Sequence, residues 1–301
     1  MFTAIRVFLF PTTDRQLPAM TVKLPPRLLL IAAPCLWSLG GTFIKAIDVD
    51  PVSMTFYRSL FVALFLAPFL SGKLVSPHPL TALSIPAYAV TTACFIIATK
   101  ITTAANASLL LYTAPIYVFL LGALFLKETP DRKSLVALAS SVLGMVVIFY
   151  GGAVDQDLKG VLIGMLSGVG FAVYMISIRR LRTFHPFYLA ALHNGGLALL
   201  LGLLWPLDWG ITGYQFLAIA GMAAVQLALP SVLFITALRD VPAHEASLIT
   251  LIEPVLNILL VAYFIGEIPS IATMAGGALI IGGLLFRYMP TRKPRMSPVL
   301  S

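Results

Sequence analysis

Three ionisable side chains stand inside long apolar runs of this sequence: Arg58, His193 and Glu253. Such a group costs several kcal/mol in apolar surroundings, so each marks a functional centre or a buried structural partner. The Arg58 guanidinium is a planar fork that matches a carboxylate. It reads equally as a clamp for an anionic substrate and as a snorkelling or structurally paired cation. Glu253 lies ten residues into its run. A carboxyl shielded from water exchanges its proton when its surroundings change, and Pro254 beside it weakens the backbone ladder where a moving helix would bend. Its other reading is a protonated acid hydrogen-bonded to a neighbouring helix. Asn257, one turn on, shares its face. His193 is a proton carrier or ligand in one reading and a packed imidazole in the other. Trp37, Tyr112, Tyr117 and Tyr174 lie in similar runs and offer rings for a planar or cationic group, or simply core packing. The candidates for substrate binding or coupling are Glu253, Arg58, His193, Asn257, Trp37 and Tyr112. His244 and Glu245, at the start of the ninth run, read either as lining an inward vestibule or, for the acid, as complementing the helix start, the reading preferred here; Glu128 and Glu267, beside Pro130 and Pro269, are read as structural turn residues.

Enzyme signatures are missing from the sequence. There is no His-Glu-x-x-His, no Gly-x-x-x-x-Gly-Lys-Ser/Thr and no Cys-x-x-Cys, so neither a metal nor a bound cofactor is expected. A membrane-embedded enzyme acting on a lipid-like substrate is the rival reading, but it requires acids clustered at one membrane face, and the loops are too short and too poor in acids for that.

The elements that must position these residues follow from composition. The chain has 301 residues, 59% hydrophobic and 11% charged, with a mean hydropathy of +0.96. A soluble domain carries about a quarter charged residues. This chain belongs in lipid, where only helices or a closed barrel satisfy the backbone. Its apolar runs are unbroken rather than alternating, so the expected class is an all-α integral membrane protein. Ten spans of roughly twenty residues are expected at 28–47, 52–70, 80–99, 103–126, 134–150, 160–178, 187–204, 213–236, 243–265 and 268–287. With both termini cytoplasmic, 16 of the 20 lysines and arginines fall inside, Lys45, Lys100 and Lys159 fall outside, and Arg58 is within a span. That bias fixes the orientation and accounts for the net charge of +8 without nucleic acid. Residues 1–27 are expected to be a cytoplasmic lead rather than a signal peptide, with Met20 as the alternative start, and 289–301 a basic cytoplasmic tail. Cys35 and Cys94 are expected to be packed free thiols. Gly160, Gly164 and Gly168 form a small-residue stripe that lets helices approach closely.

The chain also repeats itself. At an offset of 139, Ala107-Ser108-Leu109 falls on Ala246-Ser247-Leu248, Pro115 on Pro254, Glu128 on Glu267 and Gly144 on Gly283, with 13 identities over 104–150. Earlier in each half an offset of 135 places Pro51 on Pro186 and Arg58 on His193. Residues 28–150 and 160–288 thus read as two five-helix repeats. An odd number of spans per repeat makes the second copy enter from the opposite side, the inverted-repeat architecture of many secondary transporters.

The run from Ala104 to Glu128 and its copy from Ala243 to Glu267 resemble the fourth and ninth helices of the EamA family, within the drug/metabolite transporter superfamily. Trp37-Ser38-Leu39-Gly40 and Tyr57-Arg58 resemble the family's opening pattern, and His193-Asn194 departs from the more usual apolar pair. The resemblance implies a ten-helix carrier, mostly exporting metabolites from bacteria and without a bound cofactor. It also implies that spans one to four and six to nine line a central cavity, with five and ten peripheral. The expectation is a secondary active transporter in a bacterial inner membrane. It would export a small metabolite such as an amino acid or related solute, coupled to protons through Glu253.

Overall fold

The computed structural model describes residues 24–70, 78–102, 104–151, 158–266 and 270–289. The expected lead before residue 24, the tail from 290 onward, most of the 151–159 loop, and Glu267 with Pro269 lie outside the described residues. Among the described residues the protein is all-helical, without strands.

The first apolar segment is α1 (Pro26–Trp37) followed by α2 (Gly40–Ala46). Pro26 at the first helical position needs no hydrogen-bond acceptor for its nitrogen, whereas Pro34 inside α1 removes a rung. The helix breaks at Ser38-Leu39, where the Ser38 hydroxyl donates back to Cys35 O at 2.7 Å. Helix α3 (Pro51–Leu66) is capped by Asp50, which accepts from the backbone N–H groups of Val52 and Ser53, satisfying donors that have no partner within the helix. The first half continues with α4 (Pro79–Ile101), α5 (Ala104–Leu111), α6 (Ala114–Leu121) and α7 (Arg132–Gly151). The second half comprises α8 (Leu158–Arg180), α9 (Pro186–Leu204), α10 (Gly213–Met222), α11 (Leu229–Ala237), α12 (Ala243–Ile249), α13 (Ile252–Ile265) and α14 (Ile271–Tyr288). Two π-helical stretches occur among the described residues: Gly122–Leu126 extends α6, and Ala223–Ala228 joins α10 to α11.

Seven segments among the described residues are long and apolar enough to cross a bilayer: Pro26–Ala46, Pro51–Phe69, Pro79–Ile101, Lys159–Arg180, Pro186–Leu204, Gly213–Ala237 and Ala243–Ile265. Ala114–Leu126 and Met274–Arg287 are shorter apolar helices. The fourth and ninth expected spans are not continuous helices. They break at Tyr112-Thr113 and at Thr250-Leu251, positions that overlap when shifted by 139. Pro115 and Pro254 follow the breaks at the second and third positions of the new helices, where a missing N–H costs nothing.

The packing is reciprocal between the halves. Helix α4 lies on α8 as α11 lies on α1, α3 packs against α9, and α7 against α14. In the last pair a Cβ added to Gly144 would meet Gly276 O at 2.5 Å, and one added to Gly283 would meet Ala137 O at 3.2 Å. The offset of 139 converts each of these contacts into the other, the signature of a two-fold relation. The same turn ends the helix before the last span of each half: Lys127 (φ 55°) and its counterpart Gly266 (φ 83°) are both left-handed. The glycine stripe works as expected, since a Cβ at Gly164 would fall 2.6 Å from Leu110 and one at Gly168 2.6 Å from Thr113. Cys94 is half-buried, but Cys35 is exposed rather than packed, because it lies on the outer face of α1.

Candidate functional site

A cavity of about 80 Å³ lies where the breaks meet. Its polar wall includes Arg58 from α3, Glu253 from the first turn of α13, Tyr112 from the first-half break, and Gln226 from the π-helical stretch. Trp37, Phe95, Phe171 and Tyr174 form most of the apolar wall. Trp37 stands edge-on to Phe171 at 6.5 Å, and Phe171 stacks on Tyr174 at the same centroid distance. These rings are held by one another and do not need a ligand to order them.

Each polar group has a local reason for its place. Glu253 belongs to α13 only because the preceding break starts a new helix. It is therefore a first-turn residue beside the helix's positive end, rather than one in the middle of a continuous span. It is 4% exposed and accepts a close hydrogen bond from the Tyr112 hydroxyl, so the two breaks touch through their side chains. Arg58 is likewise 4% exposed. Its Nε and Nη1 have no hydrogen-bond partner among the described residues, and no carboxylate there lies within 4.0 Å of it. The titratable groups acting on it are Tyr88 and Glu253. A guanidinium facing a cavity with unused donors has the chemistry to hold an anion.

The sequence candidates separate into two layers. Arg58, Glu253, Trp37 and Tyr112 face the cavity. His193 and Asn257 stand behind it. His193 Nε2 is 2.8 Å from the Ser84 hydroxyl, and its neighbour Asn194 accepts from the Tyr88 hydroxyl at 2.8 Å, so α9 acts through Tyr88. The seventh expected span thus supports the cavity without lining it, a departure from the expected set of lining spans. Asn257 donates to the Ser108 hydroxyl at 3.2 Å and presses its carbonyl on Gly41, where a Cβ would fall 2.3 Å away. It locks α13 to α2 and α5 one turn from Glu253.

Tyr88, Thr91, Thr92 and Gln226 were not singled out from the sequence, yet they line the cavity. A hydroxyl stripe at i, i+3 and i+4 in an apolar helix was the available signal for the first three. For Gln226 it was a lone amide in a span. Its Nε2 donates to Trp37 O at 3.1 Å, satisfying a carbonyl that the α1 break leaves without a helical partner. The π-helical stretch turns Gln226 inward, and such stretches recur at functional sites.

The two ends of the bundle are closed differently. At one end Arg27 Nε donates to Glu245 at 2.6 Å, Arg287 reaches Asp131 at 3.4 Å and Glu245 at 3.8 Å, and Arg179 donates to Glu128 at 2.9 Å. Glu128 also accepts from the Ala243 N–H at 2.8 Å, so it caps a second-half helix from the first half. At the other end Lys45 donates to Thr102 O at 3.1 Å and Lys100 to Ile47 O at 3.0 Å. These lysines neutralise the carbonyl ends of each other's helices.

The two halves each match the model of the EamA-like transporter family, at residues 25–150 and 158–289. The chain belongs to the EamA-like transporter family. It is a multi-pass membrane transporter and not an enzyme. Among its relatives, an uncharacterized transporter of Archaeoglobus fulgidus is 29% identical over 86% of this chain and 94% of its own length. A protein of Pseudomonas aeruginosa named pseudopaline exporter CntI is 29% identical over 59% of this chain and 63% of its own. A solved protein crystal structure superposes with a TM-score of 0.75 at 20% identity, covering 89% of this chain and 98% of the other. At that identity it establishes the fold alone.

Proposed function

We propose that this EamA-like protein is a secondary active exporter of a small metabolite bearing an anionic group, such as an amino acid or related solute. In this reading it has ten crossings arranged as two inverted five-helix repeats (28–150 and 160–288) and lies in a bacterial inner membrane with both termini cytoplasmic. The observation that carries it is Arg58, a buried guanidinium with unused donors beside a cavity whose only acid, among the lining residues, is Glu253. With Glu253 protonated, Arg58 is the one charged group on the wall and attracts an anion. With Glu253 ionised, the wall is neutral and the anion is released. Proton and cargo are thus linked through a shared field, and the aromatic wall takes the rest of the solute. The relative named as an exporter supports the outward direction. The lysine and arginine bias, at 16 to 3, supports the orientation.

Purified protein in liposomes tests the mechanism. With candidate amino acids inside and outside, an imposed pH gradient is expected to drive accumulation on one side. Equal uptake with and without the gradient overturns proton coupling, and no solute-dependent flux from a broad panel overturns the substrate class. For orientation, an impermeant thiol reagent applied outside cells is expected to label Asp155→Cys and not Arg292→Cys, in a Cys35→Ser/Cys94→Ser background.

A further inference from the structure

Gln226 is a wall residue that anion binding at Arg58 and proton exchange at Glu253 leave without a task. It lies in the π-helical stretch Ala223–Ala228, is 4% exposed and lines the cavity. Its amide is fixed from two sides. Nε2 donates to Trp37 O at 3.1 Å, and a Cβ added to Gly40 would fall 2.7 Å from the same nitrogen. Glycine at position 40 is what lets α2 begin so close to the amide. The bond to Trp37 also sets which way the amide points: turned over, Oε1 would face a carbonyl oxygen, and two acceptors would meet. Oε1 is therefore the end that remains, and it is buried without a hydrogen-bond partner among the described residues. A buried acceptor left unpaired carries its full desolvation penalty. The unused groups of Arg58 are donors and that of Gln226 is an acceptor, and α3 packs against the π-helical stretch that carries Gln226.

We infer that Gln226 Oε1 accepts a hydrogen bond from the ammonium group of the solute whose carboxylate Arg58 takes, a step that rests on the anion-binding reading of Arg58. The cavity then selects an amino acid over a plain carboxylate of the same skeleton. A fork of donors and a fixed acceptor, on elements that pack together, match the two ends of a zwitterion. Trp37, Phe171 and Tyr174 on the same wall add aromatic rings, whose faces attract an ammonium. Because the amide is neutral, it holds the ammonium without drawing on the charge of Glu253, which stays free to keep or lose its proton. A monocarboxylate has no donor for Oε1 and leaves it buried and unpaired. A site built around a hydrogen bond rejects an analogue that lacks the group for that reason.

Isothermal titration calorimetry on the full-length protein in lipid nanodiscs tests this with three matched pairs: alanine and propionate, leucine and 4-methylpentanoate, phenylalanine and 3-phenylpropionate. At least one amino acid is expected to bind about ten-fold more tightly than its partner, the effect of one hydrogen bond to a charged group. Gln226→Met keeps the length of the side chain and removes the acceptor. It is expected to bring the amino acid down to the level of the carboxylate and to leave the carboxylate unchanged. Gly40→Ala keeps Gln226 but pushes its amide aside, and is expected to narrow the preference in the same way; it carries the test if Gln226→Met fails to fold. Equal affinities within every pair, lost together in Arg58→Leu, overturn the ammonium site and leave the anion reading of Arg58 standing. Equal weakening of both members of a pair in Gln226→Met and in Gly40→Ala makes Gln226 a support for Trp37 and overturns the site too. Binding of neither member of any pair by the wild type overturns both readings.

Discussion

The two broken helices share a backbone design and differ in chemistry. Both break at equivalent positions, both resume with an early proline, and both end in a left-handed turn at Lys127 or Gly266. Yet the first break offers Tyr112 and then Ala114, whereas the second offers Leu251 and then Glu253. The scaffold therefore does not require an acid, and Glu253 is an addition made on one side only. The fold brings the two breaks together, so the hydroxyl of one half serves the carboxyl of the other. Symmetry supplies the breaks and asymmetry the charge.

The sharpest way to break this contrast is to make the second break as neutral as the first. Glu253→Gln keeps the shape and is expected to abolish accumulation of solute under a pH gradient, while exchange at equal concentrations persists in liposomes. Accumulation equal to wild type would make Glu253 structural. Next in size, Arg58→Lys keeps the charge but loses the fork, and about ten-fold weaker solute binding is expected at normal protein levels. Arg58→Leu should bind still less, and unaltered binding by both removes Arg58 from the site.

Smaller effects test the scaffold. Glu128→Gln is expected to lower stability by about 1–3 kcal/mol, because Arg179 and the Ala243 N–H lose a charged acceptor. Burial by itself pushes the Glu128 carboxyl up, but His244, Arg179 and the Ala243 N–H outweigh it and hold it below its ordinary value of 4.5. A carboxyl held low when folded stabilises fully above its unfolded value and loses that contribution as pH falls through the folded one. The gap between wild type and Glu128→Gln, followed by thermal melts, should therefore be full at neutral pH and close only below the ordinary carboxylate range. The smallest effect is expected of Lys127→Gly, which gives the first half the residue its counterpart already has. Relief of the left-handed conformation should raise stability by about 1 kcal/mol, and no gain would mean that the two turns are not equivalent.

Much of this architecture is legible in the sequence because lipid leaves the chain so few options. Unbroken apolar runs mean helices, and the 139-residue offset means duplication. The breaks themselves were not legible, since a proline three residues into a new helix looks the same as one inside a continuous helix. Nor was the second layer. His193 and Asn257 carry the same polar signal as Arg58 and Glu253, and only the direction of each helix face decides which of them meets the cavity and which meets Ser84 or Ser108.

The sequence by itself determined that the protein is helical, duplicated and membrane-embedded, because hydropathy and internal repetition are properties that no packing can reverse, and its likeness to the EamA family made it a transporter. Tertiary structure alone decided that Tyr112 and Glu253, 141 residues apart, are partners, that Gln226 serves Trp37, and that Arg58 keeps unused donors. Those facts depend on which helix faces meet, and helices whose sides are nearly all apolar carry little in their sequence to say how they are turned.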